Sequence, residues 1–260
     1  LLSKENIKIK FVVIKVEFAN LNYKDLLMSQ GHGGLIKKFP HTPGIDACGT
    51  IYYSNSKKFK KNDKVFVIAH PLGVDTKGSF SEYITIPDHW VEKLPKSVTS
   101  KEIMMIGTSG FTAVKALNKS LKIISKYKNK PVLITGATGN VGMVLIFLLV
   151  NIGINVEVTT SKTENILILK KMGVTKIYTL KNFFKAPNFA LLNEKYSVIF
   201  ENLGGESIPI CLKYLVKKGL LVSIGNILGN TSIINILPLI LREVNILSVN
   251  AECSTTNERI

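Results

Sequence analysis

Val132-Leu-Ile-Thr-Gly136-Ala-Thr-Gly139-Asn-Val-Gly142 is the stretch on which the fold turns. A short apolar run, Val132 to Thr135, meets glycines at 136, 139 and 142, and behind them Val141 to Ile152 is apolar almost throughout. A strand, a glycine turn and a helix in that order open a dinucleotide-binding βαβ unit. Gly136 supplies the tight turn, Gly139 lets the main chain approach a pyrophosphate, and Gly142 lets the helix pack closely on the strand. The N–H groups at the helix start, around Asn140 and Val141, then face the phosphates. The spacing is GxxGxxG rather than GxGxxG, so its context decides the reading. The alternative is a turn whose glycines serve packing alone.

Outward from that turn the same rhythm continues. Ile154 to Thr160 reads as a second strand, Glu164 to Met172 as a helix ending at Gly173, and Lys176 to Leu180 as a third strand. Tyr196 to Phe200 and Leu220 to Gly225 read as two more strands, with a helix around Ile208 to Val216 between them. Strands alternating with helices predict right-handed crossovers on a parallel sheet, a doubly wound Rossmann α/β domain. Toward the N-terminus, Lys101 to Ser125 reads as a helix interrupted near Gly107 and Gly110. Residues 1–95 differ in kind. Ile7 to Phe18 and Lys64 to Ile68 are β-branched and aromatic, and Pro40, Pro43-Gly44, Gly73 and Gly78 punctuate the segment, which predicts a β-rich domain.

The end of the second strand selects a cofactor. An NAD site places Asp or Glu there to hold the ribose 2′-hydroxyl. Here it reads Val158-Thr159-Thr160-Ser161-Lys162, with no carboxylate at the tip. Thr160, Ser161 and Lys162 suit a 2′-phosphate through charge-assisted hydrogen bonds, so we read NADPH rather than NADH. Glu157, the acid of that strand, lies inside it and not at its tip. The competing reading makes Lys162 one more solvated lysine. Thr138, Gly139, Asn140 and Val141 are the expected pyrophosphate contacts.

Composition narrows the class. The chain has 260 residues, 46% hydrophobic and 20% charged, which excludes a disordered tail, a collagen-like fibre and a disulfide miniprotein. Cys48, Cys211 and Cys253 form no disulfide framework and no CxxC pair, and a reducing, cytoplasmic setting fits them. The apolar run Val141 to Val150 is about half of the ~20 residues a membrane span needs, and Asn226, Asn230, Asn235 and Pro238 break the run from Gly219 to Leu241. We expect no membrane partner. The formal charge of +16 invites a nucleic-acid reading. Of 34 basic residues, however, only Arg242 and Arg259 are arginine, the residue that reads bases bidentately, so specific nucleic-acid binding is not expected. The lysines are spread along the chain and fit a coding bias, although such a charge also attracts phosphate-bearing substrates. His32, His41, His70 and His89 form no HxH or HExxH pattern, so no metal is expected. The chain opens on Leu1 and stops within a polar run, and we expect a fragment cut at both ends.

Four segments add a resemblance: Asn20-Leu-Asn-Tyr-Lys-Asp25, Phe39-Pro-His-Thr-Pro-Gly-Ile-Asp46, Met105-Ile-Gly-Thr-Ser-Gly-Phe-Thr112 and Gly136 to Gly142. In this order the chain resembles the zinc-free quinone-oxidoreductase side of the medium-chain dehydrogenase/reductase superfamily. Thr160-Ser-Lys162 and Leu237-Pro-Leu-Ile-Leu-Arg242, followed by a strand ending near Asn250, are similar to its acrylyl-CoA reductase branch. The resemblance implies a chaperonin-10-like catalytic domain over residues 1–100, a Rossmann NADP-binding domain over 101–253, and the start of a return to the catalytic domain at 254–260. It implies NADPH-dependent reduction of the C=C bond of a short enoyl-CoA, acrylyl-CoA to propionyl-CoA, with a quinone or enone as the alternative acceptor. A non-catalytic nucleotide- or RNA-binding protein of the same fold, and a non-functional remnant, are the other readings. Zinc-dependent relatives carry Gly-His-Glu where this chain has Gly44-Ile-Asp46, and Cys48 then reads as a small buried residue.

The resemblance also distributes roles. Tyr23, in the turn after the first strand, stands beside the nicotinamide, where its hydroxyl either relays a proton or holds the cofactor ribose. Asn22 and Asp25 hold that turn by side-chain-to-backbone bonds. Thr108 and Ser109 line a cofactor-side wall, and Asn226 closes over the nicotinamide end. Arg242 is either a ligand contact or, as we prefer, a charge at a helix C-terminus. Relatives pair as homodimers through an edge of the Rossmann sheet.

Overall fold

The computed structural model describes residues 10–31, 34–36, 38–74, 76–254 and 258. The first residues of the strand expected from Ile7, together with His32 and Arg259, lie outside the described residues. The described chain divides into two compact units. One runs as far as Phe111 and takes in Ala251–Ser254, and the other runs from Thr112 to Asn250 and includes Glu258.

The first unit is an antiparallel sheet of β1 (Phe11–Ala19), β2 (Ala47–Ser54), β3 (Lys64–Val67), β4 (Tyr83–Pro87) and β5 (Glu92–Lys93), in the order β4-β1-β2-β3-β5. Alternate residues of each strand point inward, so Val12, Ile14, Val65, Val67, Ile84 and Ile86 share one core with Ala47, Ile51 and Leu72. The segment after β1 is a helix, α1 (Tyr23–Ser29), rather than the expected turn. Met28 on its inner face packs on Ile36 and Ile45, and that apolar contact sustains two turns of helix.

A second helix, α2 (Ser100–Lys126), is broken at Gly107 alone (φ 51°, ψ −159°) and runs on through Gly110. A side chain at 107 would place its Cβ 2.5 Å from Asp46 Oδ2 and 2.6 Å from Asn20 Nδ2, so only glycine fits there.

The second unit is a six-stranded parallel sheet: β6 (Val132–Ile134), β7 (Val156–Thr160), β8 (Lys176–Thr179), β9 (Tyr196–Glu201), β10 (Leu215–Ser223) and β11 (Asn245–Ser248). Their order, β8-β7-β6-β9-β10-β11, is that of a Rossmann fold, and it reverses between β6 and β9. The connecting helices are α3 (Asn140–Asn151), α4 (Ile166–Lys171), α5 (Leu180–Phe183), α6 (Ser207–Tyr214) and α7 (Leu237–Arg242). Both faces of the sheet are covered. Val132, Ile134, Val198 and Phe200 pack with Leu145, Ile146 and Leu149, whereas Leu133, Ile199 and Leu221 pack with Cys211, Leu212 and Val244. Two-sided burial explains why these strands read as continuous apolar runs.

Several boundaries differ from the sequence reading. The helix expected from Glu164 opens as a 3-10 turn, Thr163–Asn165, before α4. β8 stops at Thr179, whose side chain accepts the Asn182 N–H and starts α5. β10 begins at Leu215, where the helix was expected to continue, and absorbs Lys218 at positive φ by a register shift before Leu220. Among the described residues no helix is long and apolar enough to cross a membrane.

Candidate active site

The turn between β6 and α3 has the form a dinucleotide needs. Gly139 is the N-cap of α3, and the N–H of Gly139 returns to the Gly136 carbonyl at 3.1 Å. The Ala137 N–H reaches the Thr159 carbonyl at 3.0 Å, which ties the turn to β7. The glycines serve different masters. A Cβ at Gly142 would lie 2.8–2.9 Å from three backbone atoms of Ala137, so the fold itself demands glycine there. A Cβ at Gly139 would meet only the Gly136 carbonyl oxygen, at an ordinary 3.4 Å. Among the described residues nothing requires glycine at 139; the bareness faces outward, at the start of α3. Gly139 and Asn140 are exposed, and Val141 is half-buried.

At the tip of β7, Thr160 is buried and its Oγ1 accepts the Lys162 N–H at 3.0 Å. The Thr138 hydroxyl stands 3.4 Å from it, while Ser161 and Lys162 are exposed beside the pair. Thr138, Thr160 and the Lys162 backbone thus come together at one corner of the turn. Glu157 is committed elsewhere: its Oε2 accepts from Tyr178 Oη at 2.9 Å, Tyr196 Oη at 2.8 Å and Lys195 Nζ at 2.5 Å. Burial works against the Lys195 charge, yet the bonds to Glu157 and Tyr178 outweigh it and hold its pKa above the ordinary lysine value.

Asn226 lies on the exposed loop after β10, its amide donating to Asn230. Arg242 is not in this corner. Its guanidinium donates to the carbonyls of Lys213 (2.9 Å), Leu215 (3.0 Å) and Leu192, tying the C-terminus of α6 to β10. The preferred reading, a charge at a helix C-terminus, fits: Arg242 is the last residue of α7, and its guanidinium reaches the end of α6 as well.

In the first unit a buried hydrogen-bond network surrounds Asp46. Its Oδ2 accepts the Thr108 N–H at 2.9 Å and the Asn22 Nδ2 at 3.0 Å, and its Oδ1 accepts the Thr108 hydroxyl. The break at Gly107 frees that N–H, so Asp46 caps the helix segment starting at Thr108. Thr108 Oγ1 also accepts the Ala69 N–H at 2.7 Å, and Ser109 Oγ donates to Asn22 Oδ1 at 3.1 Å. These two hydroxyls, expected to line a cofactor wall, are occupied inside the unit. Asp25 accepts the N–H groups of Asn22 (2.8 Å) and Gly44 (2.9 Å), which holds the α1 N-terminus as expected. Tyr23 is the first residue of α1 and half-exposed. Burial pushes the pKa of both acids above the ordinary carboxylate range. For Asp46 the donors from Thr108 and Asn22 only partly offset burial, and the Asp25 charge adds to it.

The first unit is matched over residues 8–96 by the alcohol dehydrogenase GroES-like domain and the second over 140–258 by the zinc-binding dehydrogenase domain. A putative quinone oxidoreductase, YhfP of Bacillus subtilis, is 30% identical over 96% of this chain and 76% of its own. The chain belongs to the medium-chain dehydrogenase/reductase family, in its quinone oxidoreductase-like branch. Within that branch, the acrylyl-CoA reductase AcuI of Ruegeria pomeroyi is also 30% identical, over the same shares of both chains. The YhfP structure with NAD bound matches with a TM-score of 0.87, 29% identity and coverage of 99% and 78%. The YhdH oxidoreductase of Salmonella enterica in complex with NADP matches with a TM-score of 0.89, 26% identity and coverage of 100% and 79%. Membership makes the chain an oxidoreductase by descent. Among the described residues no group of three or more His, Cys, Asp or Glu could hold a metal.

The sequence reading missed Asp46 as a hub. The signal was present, since an acid between Ile45 and Ala47 at the start of an apolar strand must be buried and satisfied. An acid whose folded pKa is raised keeps its proton where the unfolded chain has lost it. Its contribution is therefore full below the ordinary carboxylate pKa of roughly 4 and is lost as pH rises through the folded value. Asp46→Asn keeps one oxygen for the two N–H donors and offers an amide to Thr108 Oγ1, which has a lone pair to spare. Urea unfolding from about pH 4 to pH 8 is expected to show the variant gaining on the wild type as pH rises. Parallel stability curves would refute the assignment. Asp46→Ala, which orphans buried donors, is expected to cost about 1–3 kcal/mol per donor.

Proposed function

We propose that this chain reduces the C=C bond of a short enoyl-CoA, acrylyl-CoA to propionyl-CoA, with NADPH. The observation that carries the cofactor half is the corner formed by Gly139, Thr138, Thr160 and Lys162: a bare turn at a helix start, two hydroxyls and an ammonium, with the nearby acid Glu157 turned to Lys195. Thr138, Gly139, Asn140 and Val141 receive the pyrophosphate, and Thr160, Ser161 and Lys162 the 2′-phosphate. When bound, the dinucleotide supplies the hydride for the β-carbon of the enoyl thioester. Asn226 covers the nicotinamide end. Tyr23, at the start of a helix held by Asn22, Asp25 and Asp46, presents a hydroxyl that delivers a proton to the α-carbon or holds the cofactor ribose. The substrate half follows the likeness to the acrylyl-CoA reductase; the equal likeness to a putative quinone oxidoreductase makes a small quinone or enone the second reading.

The first test is oxidation of NADPH and of NADH with acrylyl-CoA and with a small quinone. Turnover with acrylyl-CoA and NADPH supports the proposal, and turnover with the quinone alone replaces it by the second reading. Lys162→Glu is expected to lower kcat/KM for NADPH at least tenfold with little change for NADH. Equal losses would remove Lys162 from the 2′-phosphate site.

If the Tyr23 hydroxyl transfers a proton, Tyr23→Phe lowers kcat by about a hundredfold or more while the Kd for NADPH holds. An unchanged kcat leaves Tyr23 a cofactor or packing contact.

The partner we infer is a second copy of the chain, joined through β11. Among the described residues this edge strand pairs only with β10, its four residues are exposed, and Ile246 and Leu247 each show 41% of their surface. Exposed apolar edges are covered in stable proteins. Sedimentation at micromolar concentration is expected to give twice the chain mass of 28.7 kDa; a monomer would refute the pairing.

A further inference from the structure

We infer that Glu201 is a positioning residue for the dinucleotide, holding both lips of the crevice where the strand order reverses; the inference rests on the NADPH reading above. Glu201 is the last residue of β9, whose neighbour is β6, and its side chain is fully buried. Among the described residues its carboxylate has no cation partner. It accepts instead from Thr135 Oγ1 at 3.1 Å, the Leu203 N–H at 3.0 Å and the Gly204 N–H at 2.8 Å.

The Thr135 bond holds one lip, and the Leu203 and Gly204 bonds hold the other. Thr135 leads directly into the Gly136 turn. Its hydroxyl accepts the Asn202 N–H at 2.9 Å and its carbonyl accepts Asn202 Nδ2 at 2.8 Å, so the ends of β6 and β9 are stapled by main chain and side chain together. On the other side, the turn fixed by Leu203 and Gly204 grips the loop after β10. The Leu228 N–H donates to the Leu203 carbonyl at 2.7 Å and the Gly205 N–H to the Gly229 carbonyl at 3.1 Å. Asn226 rides on that loop. One carboxylate thus sets the glycine turn that would face the pyrophosphate and the loop that would cover the nicotinamide end.

An anion is needed for this. Both oxygens accept, one from Thr135 and Leu203 and the other from Gly204. A glutamine has one acceptor oxygen, and its NH2 would face an N–H or a hydroxyl donor. Burying a carboxylate is costly, and packing alone would be served as well by an apolar side chain. The cost is consistent with a geometry that must be held within tenths of an ångström for a ligand.

The experiment compares wild type, Glu201→Gln, Thr135→Val and Thr135→Ser. The readouts are NADPH affinity by fluorescence, thermal unfolding without cofactor, and kcat and KM with acrylyl-CoA. Glu201→Gln and Thr135→Val are expected to raise the Kd and KM for NADPH at least tenfold, beyond what any fall in melting temperature accounts for. Thr135→Ser, which keeps the hydroxyl, restores the affinity. Should Glu201→Gln not fold, Thr135→Val and its rescue by Thr135→Ser carry the test. Unchanged NADPH affinity in the folded variants overturns the inference alone. So does an affinity loss that only tracks a lowered melting temperature. A wild type that binds no NADPH overturns the cofactor reading, and this inference with it.

Discussion

The bond between the Asp46 carboxylate and the Thr108 N–H is the constraint from which the first unit follows. A helix can offer an interior N–H only if its ladder is interrupted, and here Gly107 interrupts it at a φ that other residues rarely adopt. A carboxylate can be fully buried only if donors converge on it, and the freed N–H, the Thr108 hydroxyl and the Asn22 amide do so. Gly107 and Asp46 therefore require each other. The space where a Cβ would stand at 107 is the space the carboxylate oxygen fills. Asn22 extends the constraint, because the residue whose amide meets Asp46 is also the N-cap of α1 and precedes Tyr23.

The same physical solution recurs at the nucleotide end. Asp25, Asp46 and Glu201 are all buried, and each is met by main-chain N–H groups at turns or helix starts, joined at Asp46 and Glu201 by hydroxyl or amide donors, rather than by lysine. In a chain with 34 basic and 18 acidic residues that choice is informative. A lysine partner would bring a flexible stem and its own desolvation cost, whereas an N–H at a turn is already fixed by the fold. These acids organise backbone. Glu157 is the contrast: it takes Lys195 and two tyrosine hydroxyls, all side chains, and so fastens β7 to β8 and to the start of β9.

The architecture was legible because its signals are periodic or steric. Continuous apolar strands, the helix after Gly139 and the glycine at 142 follow from two-sided burial and close packing, both local in sequence. The helix at Tyr23 was not legible, since seven residues with one buried methionine carry too short a period, and its support comes from Ile36 and Ile45. The start of β10 was missed because Leu215 and Val216 suit a helix as well as a strand, and the register shift at Lys218 is a tertiary outcome. At the candidate site, the exposed residues Gly139 and Lys162 and the strand-tip Thr160 could be named from type and spacing. The buried acids Glu201 and Asp46 could not, because Thr135, which meets Glu201, lies 66 residues away and Thr108, which meets Asp46, lies 62.

That division between exposed and buried residues bears on the electrostatic field at the tip of β7. A positive corner needs a cation present and an acid absent, and the second condition is the harder to read. Glu157 stands three residues before the strand tip, yet its charge is neutralised by Lys195 and its oxygen is shared with two hydroxyls, so it projects little field toward Lys162. Thr160, with its hydroxyl accepting from the Lys162 backbone, holds the ammonium's anchor point against the strand and not at the end of a free loop. The field at Lys162 thus depends on the half-buried Glu157–Lys195 pair as well as on the exposed lysine itself. A change at Lys195 would alter the electrostatics of the cofactor corner without touching the cofactor.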